Sequence, residues 1–206
     1  MSGGKLPGGS DTPSTEKTLW RTPPALALAI FGAYGAPDLD AAATDGSVSL
    51  GGNGWLSPAE DGLDPRPWWE RRRKASEWLP LTDRPVAWLN PPCGGGRTGT
   101  GAWSRRALCE LPRLHQLYML VPECTDTNWW WSLASYPGAL VLSLGRVAYN
   151  RPDGTPGQIP PQGSSLFLLR PCPVGAECAA VTLHRWRWQT EPPPPLSTLS
   201  KKDIQP

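Results

Sequence analysis

The chain has 206 residues, 20 basic and 18 acidic, for a formal net charge of +2. That length suits one domain with a sizeable core, and so small a charge excludes a polycation whose bulk field alone would recruit nucleic acid, leaving local clustering as the source of any basic surface. Twelve Trp argue against a wholly disordered chain, while 26 Pro and 22 Gly call for short elements separated by long loops.

Residues 1–17 are Gly-, Ser-, Thr- and Lys-rich with almost nothing apolar, and residues 189–206 carry the polyproline run Pro192–Pro195. Both are expected to be disordered tails around a domain spanning 18–188. Order is expected to begin at Trp20-Arg21-Thr22-Pro23-Pro24, where Thr22 can cap a helix over Ala25–Phe31. Pro37-Asp38-Leu39-Asp40-Ala41-Ala42-Ala43 reads as a short strand ending in acidic and small residues. Asp40 there suits a ligand's hydroxyl or ammonium group, or else caps the next turn. Residues 47–63 look irregular. Trp68-Trp69 ahead of Arg71-Arg72-Arg73-Lys74 reads either as a solvated helix face or as a phosphate-binding cluster with a stacking Trp.

Val86-Ala87-Trp88-Leu89 is a buried strand halted by Asn90-Pro91-Pro92-Cys93. Proline lacks a backbone N–H and fixes φ, so two in succession end sheet pairing and leave the Pro91 carbonyl without a helical partner. An Asn carbonyl and a neighbouring backbone carbonyl, held rigid at a strand's carboxyl end, form a two-acceptor clamp for an –NH2 group. A plain strand followed by a proline turn reads the same way. The glycine-rich loop 94–101 lacks the Lys-Ser/Thr ending of a phosphate loop and fits better as a loop beside a ligand site carrying Arg97. A helix is expected over Trp103–Leu111 with Arg105 and Arg106 exposed, then strands at Leu117–Pro122, Ala139–Leu144, Ser165–Leu169 and Val181–Trp188. Alternation first and strands alone later predict an α/β fold, its sheet mostly parallel with antiparallel strands toward the C-terminus.

Five Cys at irregular spacing do not form a disulfide framework, and Cys172, Cys178 and His184 lack a zinc spacing, so no metal is expected. The longest early apolar run, Ala25–Ile30, is too short for a membrane span, and no signal pattern precedes it. A soluble protein of a reducing cytoplasm, with no membrane partner, is expected. His115 opens an apolar strand and reads as a core-edge residue rather than a base. No Ser sits in a Gly-x-Ser-x-Gly elbow, and the His-x-Glu and Pro-Cys-x-x-Cys signature of zinc deaminases is absent.

Several landmarks, taken in order, resemble the phage-type DNA N6-adenine methyltransferases, the Dam-like family. They are Trp20-x-Thr22-Pro23, Asp38-Leu39-Asp40-Ala41-Ala42-Ala43, Asp61-Gly62-Leu63 and Trp88-Leu89-Asn90-Pro91-Pro92-Cys93-Gly94. Leu120-Val121-Pro122, Thr125-Asp126-Thr127-x-Trp129 and Gly145-Arg146-Val147-x-Tyr149 follow. The resemblance implies a Rossmann-like methyltransferase fold, S-adenosylmethionine as donor, and adenine N6 of double-stranded DNA as acceptor, in a bacterial or phage-infected cytoplasm. It places Asn90, Pro91, Pro92 and Cys93 at the catalytic motif, and Thr22, Pro23 and Asp40 at the cofactor. Arg97, Arg105 and Arg106 are the residues expected to contact DNA phosphates. Two departures stand out: Cys93 replaces the family's stacking aromatic, and no Gly-x-Gly cofactor loop follows a first strand. A non-catalytic DNA- or protein-binding module of the same fold and a cytosine N4-methyltransferase remain the alternatives.

Overall fold

The computed structural model of the chain describes residues 19–46, 49–74, 84–94, 96–173, 175–177 and 181–196. The tail expected over 1–17, Cys178 and residues 197–206 lie outside the described residues. Eight strands among the described residues form a single sheet, with helices on both faces. They are β1 (Leu39–Asp40), β2 (Gly54–Trp55), β3 (Arg73–Lys74), β4 (Val86–Leu89), β5 (Gln116–Pro122), β6 (Ala139–Ser143), β7 (Ser164–Leu169) and β8 (Leu183–Arg185). The helices are α1 (Pro24–Tyr34), the single turn α2 (Trp68–Arg71), α3 (Thr100–Glu110) and α4 (Asn128–Ala134).

The strand order is β3-β2-β1-β4-β5-β7-β6-β8. β1 pairs in parallel with β2 and β4, β4 with β5, and β6 with β8, whereas β7 runs antiparallel between β5 and β6. The expected α/β class and mostly parallel sheet are therefore present. An antiparallel β3 at the far edge adds a reversal the alternation did not announce.

Period-two side-chain alternation divides the sheet between two cores. Ala87, Leu89, Leu117, Met119, Val121, Val141, Phe167 and Leu169 face one core, shared with Trp103 and Ala107 of α3 and Trp130 and Leu133 of α4. Trp88, Tyr118, Leu120, Leu140, Leu142, Leu166 and Leu168 face the other, shared with Leu26 and Ile30 of α1. This explains why the central strands read as unbroken apolar runs: both faces are covered.

Several expectations are corrected. Pro23, not Thr22, is the residue preceding α1, and no side chain caps that helix. The stretch 47–63 contains β2. Within the expected tail, residues 189–196 are described and touch the domain: the Tyr34 hydroxyl donates to Pro194 O at 2.8 Å and Leu196 packs on the second core. The Trp68–Lys74 cluster is only partly a solvated face: Arg73 and Lys74 are exposed, whereas Trp68, Arg71 and Arg72 pack against the fold. Trp68 is fully buried and donates through Nε1 to Gly62 O at 2.7 Å. Arg71 donates to Asp61 O at 2.9 Å, Arg72 lies 3.5 Å from the centre of the Trp69 ring, and Arg73 pairs with Glu60 at 2.7 Å. Gly62 permits this packing, since a Cβ there would lie 2.5 Å from the Trp103 ring and 2.6 Å from Ala41 O.

Candidate active site

From β1 the chain moves outward to β2 and β3, then returns to β4 on the other side of β1. The crevice at the carboxyl ends of β1 and β4 is thus a topological switch point, where open α/β sheets bind ligands. A cavity of about 350 Å³ opens there, lined by Asp40 from the end of β1, Trp88 and Asn90 from β4, and by Trp20, Arg21, Thr22, Leu50 and Asn150. The volume lies within the range of small-molecule sites, roughly 300–1,000 Å³. A backbone pairing holds two of these walls together. Arg21 N donates to Asn150 O at 2.8 Å, and Asn150 N donates back to Arg21 O at 2.9 Å. Asn150 also bridges to Pro156, which folds the long β6–β7 loop back on itself beside the site.

Asp40 caps the turn that follows β1, and it also lines the cavity. Its carboxylate is 5% exposed, accepts Ala42 N at 3.1 Å on one oxygen and Leu50 N at 2.9 Å on the other, and lines the cavity. These bonds staple the segment after β1 around the carboxylate, as a loop acid does. Burial pushes its pKa up to about 6, against the two N–H donors that lower it. Above that pH the site holds a negative charge.

β4 leads into the Asn90-Pro91-Pro92 stop. Trp88 packs edge-to-face on Phe31 of α1, with ring centres 5.5 Å apart, and Trp88 O accepts Ala41 N at 2.9 Å. Beyond this anchored point the two prolines stop the ladder. Asn90 is half-buried and donates Nδ2–H to Thr22 Oγ1 at 3.1 Å. In this arrangement Nδ2 is held by Thr22, while Oδ1 accepts no hydrogen bond among the described residues. The Pro91 carbonyl likewise accepts none from the backbone. Thr22 is 9% exposed, so the contact is screened from water.

The other expected site residues divide. Pro23 does not line the cavity; its carbonyl accepts the N–H groups of Leu26 and Ala27 at 3.0 and 3.1 Å, which starts α1. Pro91 is buried and Pro92 half-buried behind Asn90, and Cys93 is exposed. Arg97 and Arg105 are exposed. Arg106, expected to be exposed, is not. Its side chain is 10% accessible, pairs with Glu110 at 2.5 Å and donates to Arg66 O at 2.7 Å. Glu110 is itself 1% exposed and also accepts Trp68 N at 3.2 Å, so Arg106 is drawn inward to neutralise a buried carboxylate. Sequence reasoning missed Arg21, Leu50 and Asn150. Arg21 stands inside the Trp20-x-Thr22-Pro23 motif, and that adjacency was its one signal. Asn150 comes from a loop more than a hundred residues away and offered none.

No helix among the described residues is long and apolar enough to cross a membrane, and no cluster of three His, Cys, Asp or Glu among them could hold a metal. Neither the curated proteins nor the solved structures include a match to the chain. A family model described as DNA N-6-adenine-methyltransferase (Dam) matches residues 9–182, a span that takes in α1, every strand from β1 to β7, the residues lining the cavity and the Asn90-Pro91-Pro92 stretch. Because that match covers most of the chain and includes the whole site, the chain belongs to the DNA N-6-adenine-methyltransferase (Dam) family.

Proposed function

We propose that the chain transfers a methyl group from S-adenosylmethionine to N6 of an adenine flipped out of double-stranded DNA, on a Rossmann-like methyltransferase fold. The observation that carries this reading is the Asn90 amide. Its nitrogen is held by Thr22 in the cavity wall, and neither its oxygen nor the Pro91 carbonyl one residue on accepts a hydrogen bond from the described residues. The residues present suit the donor. Asp40 places an anion where a sulfonium would be housed, Trp20, Trp88 and Leu50 offer apolar walls to a nucleoside, and the volume is that of a small-molecule site. When bound, the donor supplies an electrophilic methyl group.

The chain's own work is on the acceptor. The exocyclic nitrogen of adenine is a poor nucleophile because its lone pair is delocalised into the ring. Asn90 Oδ1 and Pro91 O accept its two hydrogens, draw the nitrogen toward tetrahedral geometry and free the lone pair. Both acceptors are held in place before the base arrives, so positioning contributes much of the rate. Neither carbonyl is basic enough to keep the proton shed after alkylation, and it passes to water. Arg97 and Arg105, exposed on the loop and helix that follow the clamp, are proposed to contact phosphates. The base must leave the stack to reach the clamp, at a cost of a few kcal/mol.

Cys93 favours a second reading, a DNA-binding module without turnover, because a thiol offers no face for a flipped base to stack on. Incubation with labelled S-adenosylmethionine and unmethylated DNA, then nuclease digestion and identification of the labelled base, separates the two. N6-methyladenine supports the proposal, N4-methylcytosine moves the same clamp to another base, and DNA binding without label establishes the module.

A further inference from the structure

Arg21 and Asp40 are the two charged side chains in the wall of the cavity, and they do not pair with each other. Both Asp40 oxygens are occupied by backbone N–H groups of Ala42 and Leu50. The Arg21 backbone is fixed by two hydrogen bonds with Asn150, and among the described residues its side chain has no recorded acceptor, its Nε being closed to water. A half-buried guanidinium in a cavity wall, with no anion of the fold recorded beside it, is available to pair with an anionic group of a ligand. We propose that Arg21 binds the carboxylate of the donor's amino-acid end, an assignment that rests on the methyltransferase reading above.

Three observations point to a carboxylate inside the cavity. The guanidinium presents a planar fork of donors, which matches a carboxylate in two parallel bonds. The helix α1 starts three residues on, with Pro24 also lining the cavity, so the positive end of its dipole reinforces the same charge. Arg21 is half-buried in the cavity wall, whereas Arg97 and Arg105 are exposed, so a duplex phosphate on the outside of a rigid rod is served by the latter. The cavity then has opposite poles, Asp40 for the cationic part of the donor and Arg21 for its anionic part.

The test is calorimetric binding to wild type, Arg21→Met and Arg21→Lys. The ligands are S-adenosylhomocysteine, which keeps the carboxylate, 5′-methylthioadenosine, which lacks the amino-acid end, and unmethylated duplex DNA. One lost charge-assisted contact corresponds to a loss of about 10- to 100-fold. The expected result is that loss for S-adenosylhomocysteine in Arg21→Met, partial recovery in Arg21→Lys, and no change toward methylthioadenosine or DNA. Because the Arg21 side chain makes no recorded bond to the fold among the described residues, the melting temperature of ligand-free Arg21→Met should not fall. Equal losses for both nucleosides, no loss for S-adenosylhomocysteine, or a loss confined to DNA would overturn the assignment while leaving the methyltransferase reading intact. Wild-type protein that binds neither nucleoside would overturn both.

Discussion

Thr22→Val tests how the clamp is oriented. Valine keeps the shape of threonine and removes only the oxygen that accepts Asn90 Nδ2–H at 3.1 Å. With that acceptor gone, the amide has no reason to keep Oδ1 free, and the donor is left unsatisfied beside a residue only 9% exposed. An orphaned buried donor costs about 1–3 kcal/mol. Asn90 is half-buried, so water recovers part of this, and the lower end applies, about 1–1.5 kcal/mol or roughly a 5- to 10-fold fall in single-turnover methyl transfer. Donor affinity should stay within about twofold if Thr22 acts through Asn90. The decisive assay is a double-mutant cycle with Asn90→Ala. Once Asn90 is gone, Thr22→Val should have no further effect on the rate. The same fold-loss in both backgrounds would show that Thr22 acts elsewhere and would refute the orienting role.

Two further outcomes are expected. The Asp40 pKa is raised from 3.8 to about 6 in the folded protein, so the folded state binds the extra proton more tightly between those values. Stability should therefore fall as pH rises from about 4 to 6, by on the order of 3 kcal/mol from this group, and level off above. Asp40→Asn should remove that slope in urea titrations, leaving a constant offset for the lost acceptor, and pH profiles parallel to wild type would contradict the assignment. Gly62→Ala would force a Cβ to within 2.5 Å of the Trp103 ring and 2.6 Å of Ala41 O, so a destabilisation of about 1–3 kcal/mol is expected by chemical denaturation. Unchanged stability there would mean that the approach of the Asp61–Leu63 turn to α3 is not tight.

What could be read in advance follows from how local each signal is. The β4 strand and its stop are written in consecutive residues, Val86 to Pro92, and no tertiary contact was needed to see them. β5 and β7 announced themselves as apolar runs because both faces are buried. Arg106 was expected on the surface because a charged side chain beside Arg105 reads as solvated, while its partner Glu110 is buried against Trp68, a residue 42 positions from Glu110. Thr22 was read as a cap because capping is a local habit of threonine. Its actual partner, Asn90, is 68 residues away and is brought close by the packing of α1 on β4 through Phe31 and Trp88. β2 and β3 are two residues each and take their extended form from the sheet edge they join, not from their own composition.

Activation of an adenine amine by Asn90 is the step on which the proposed methyl transfer depends. Its most direct measurement is transfer of labelled methyl from S-adenosylmethionine to unmethylated DNA by wild type and Asn90→Ala, with donor binding followed in parallel by calorimetry. Loss of one preorganised contact of this kind lowers turnover by about 100- to 1,000-fold. Label on N6 of adenine with wild type, a fall of that size in Asn90→Ala, and donor affinity held within about threefold are the expected results. Undiminished turnover in Asn90→Ala would contradict the mechanism.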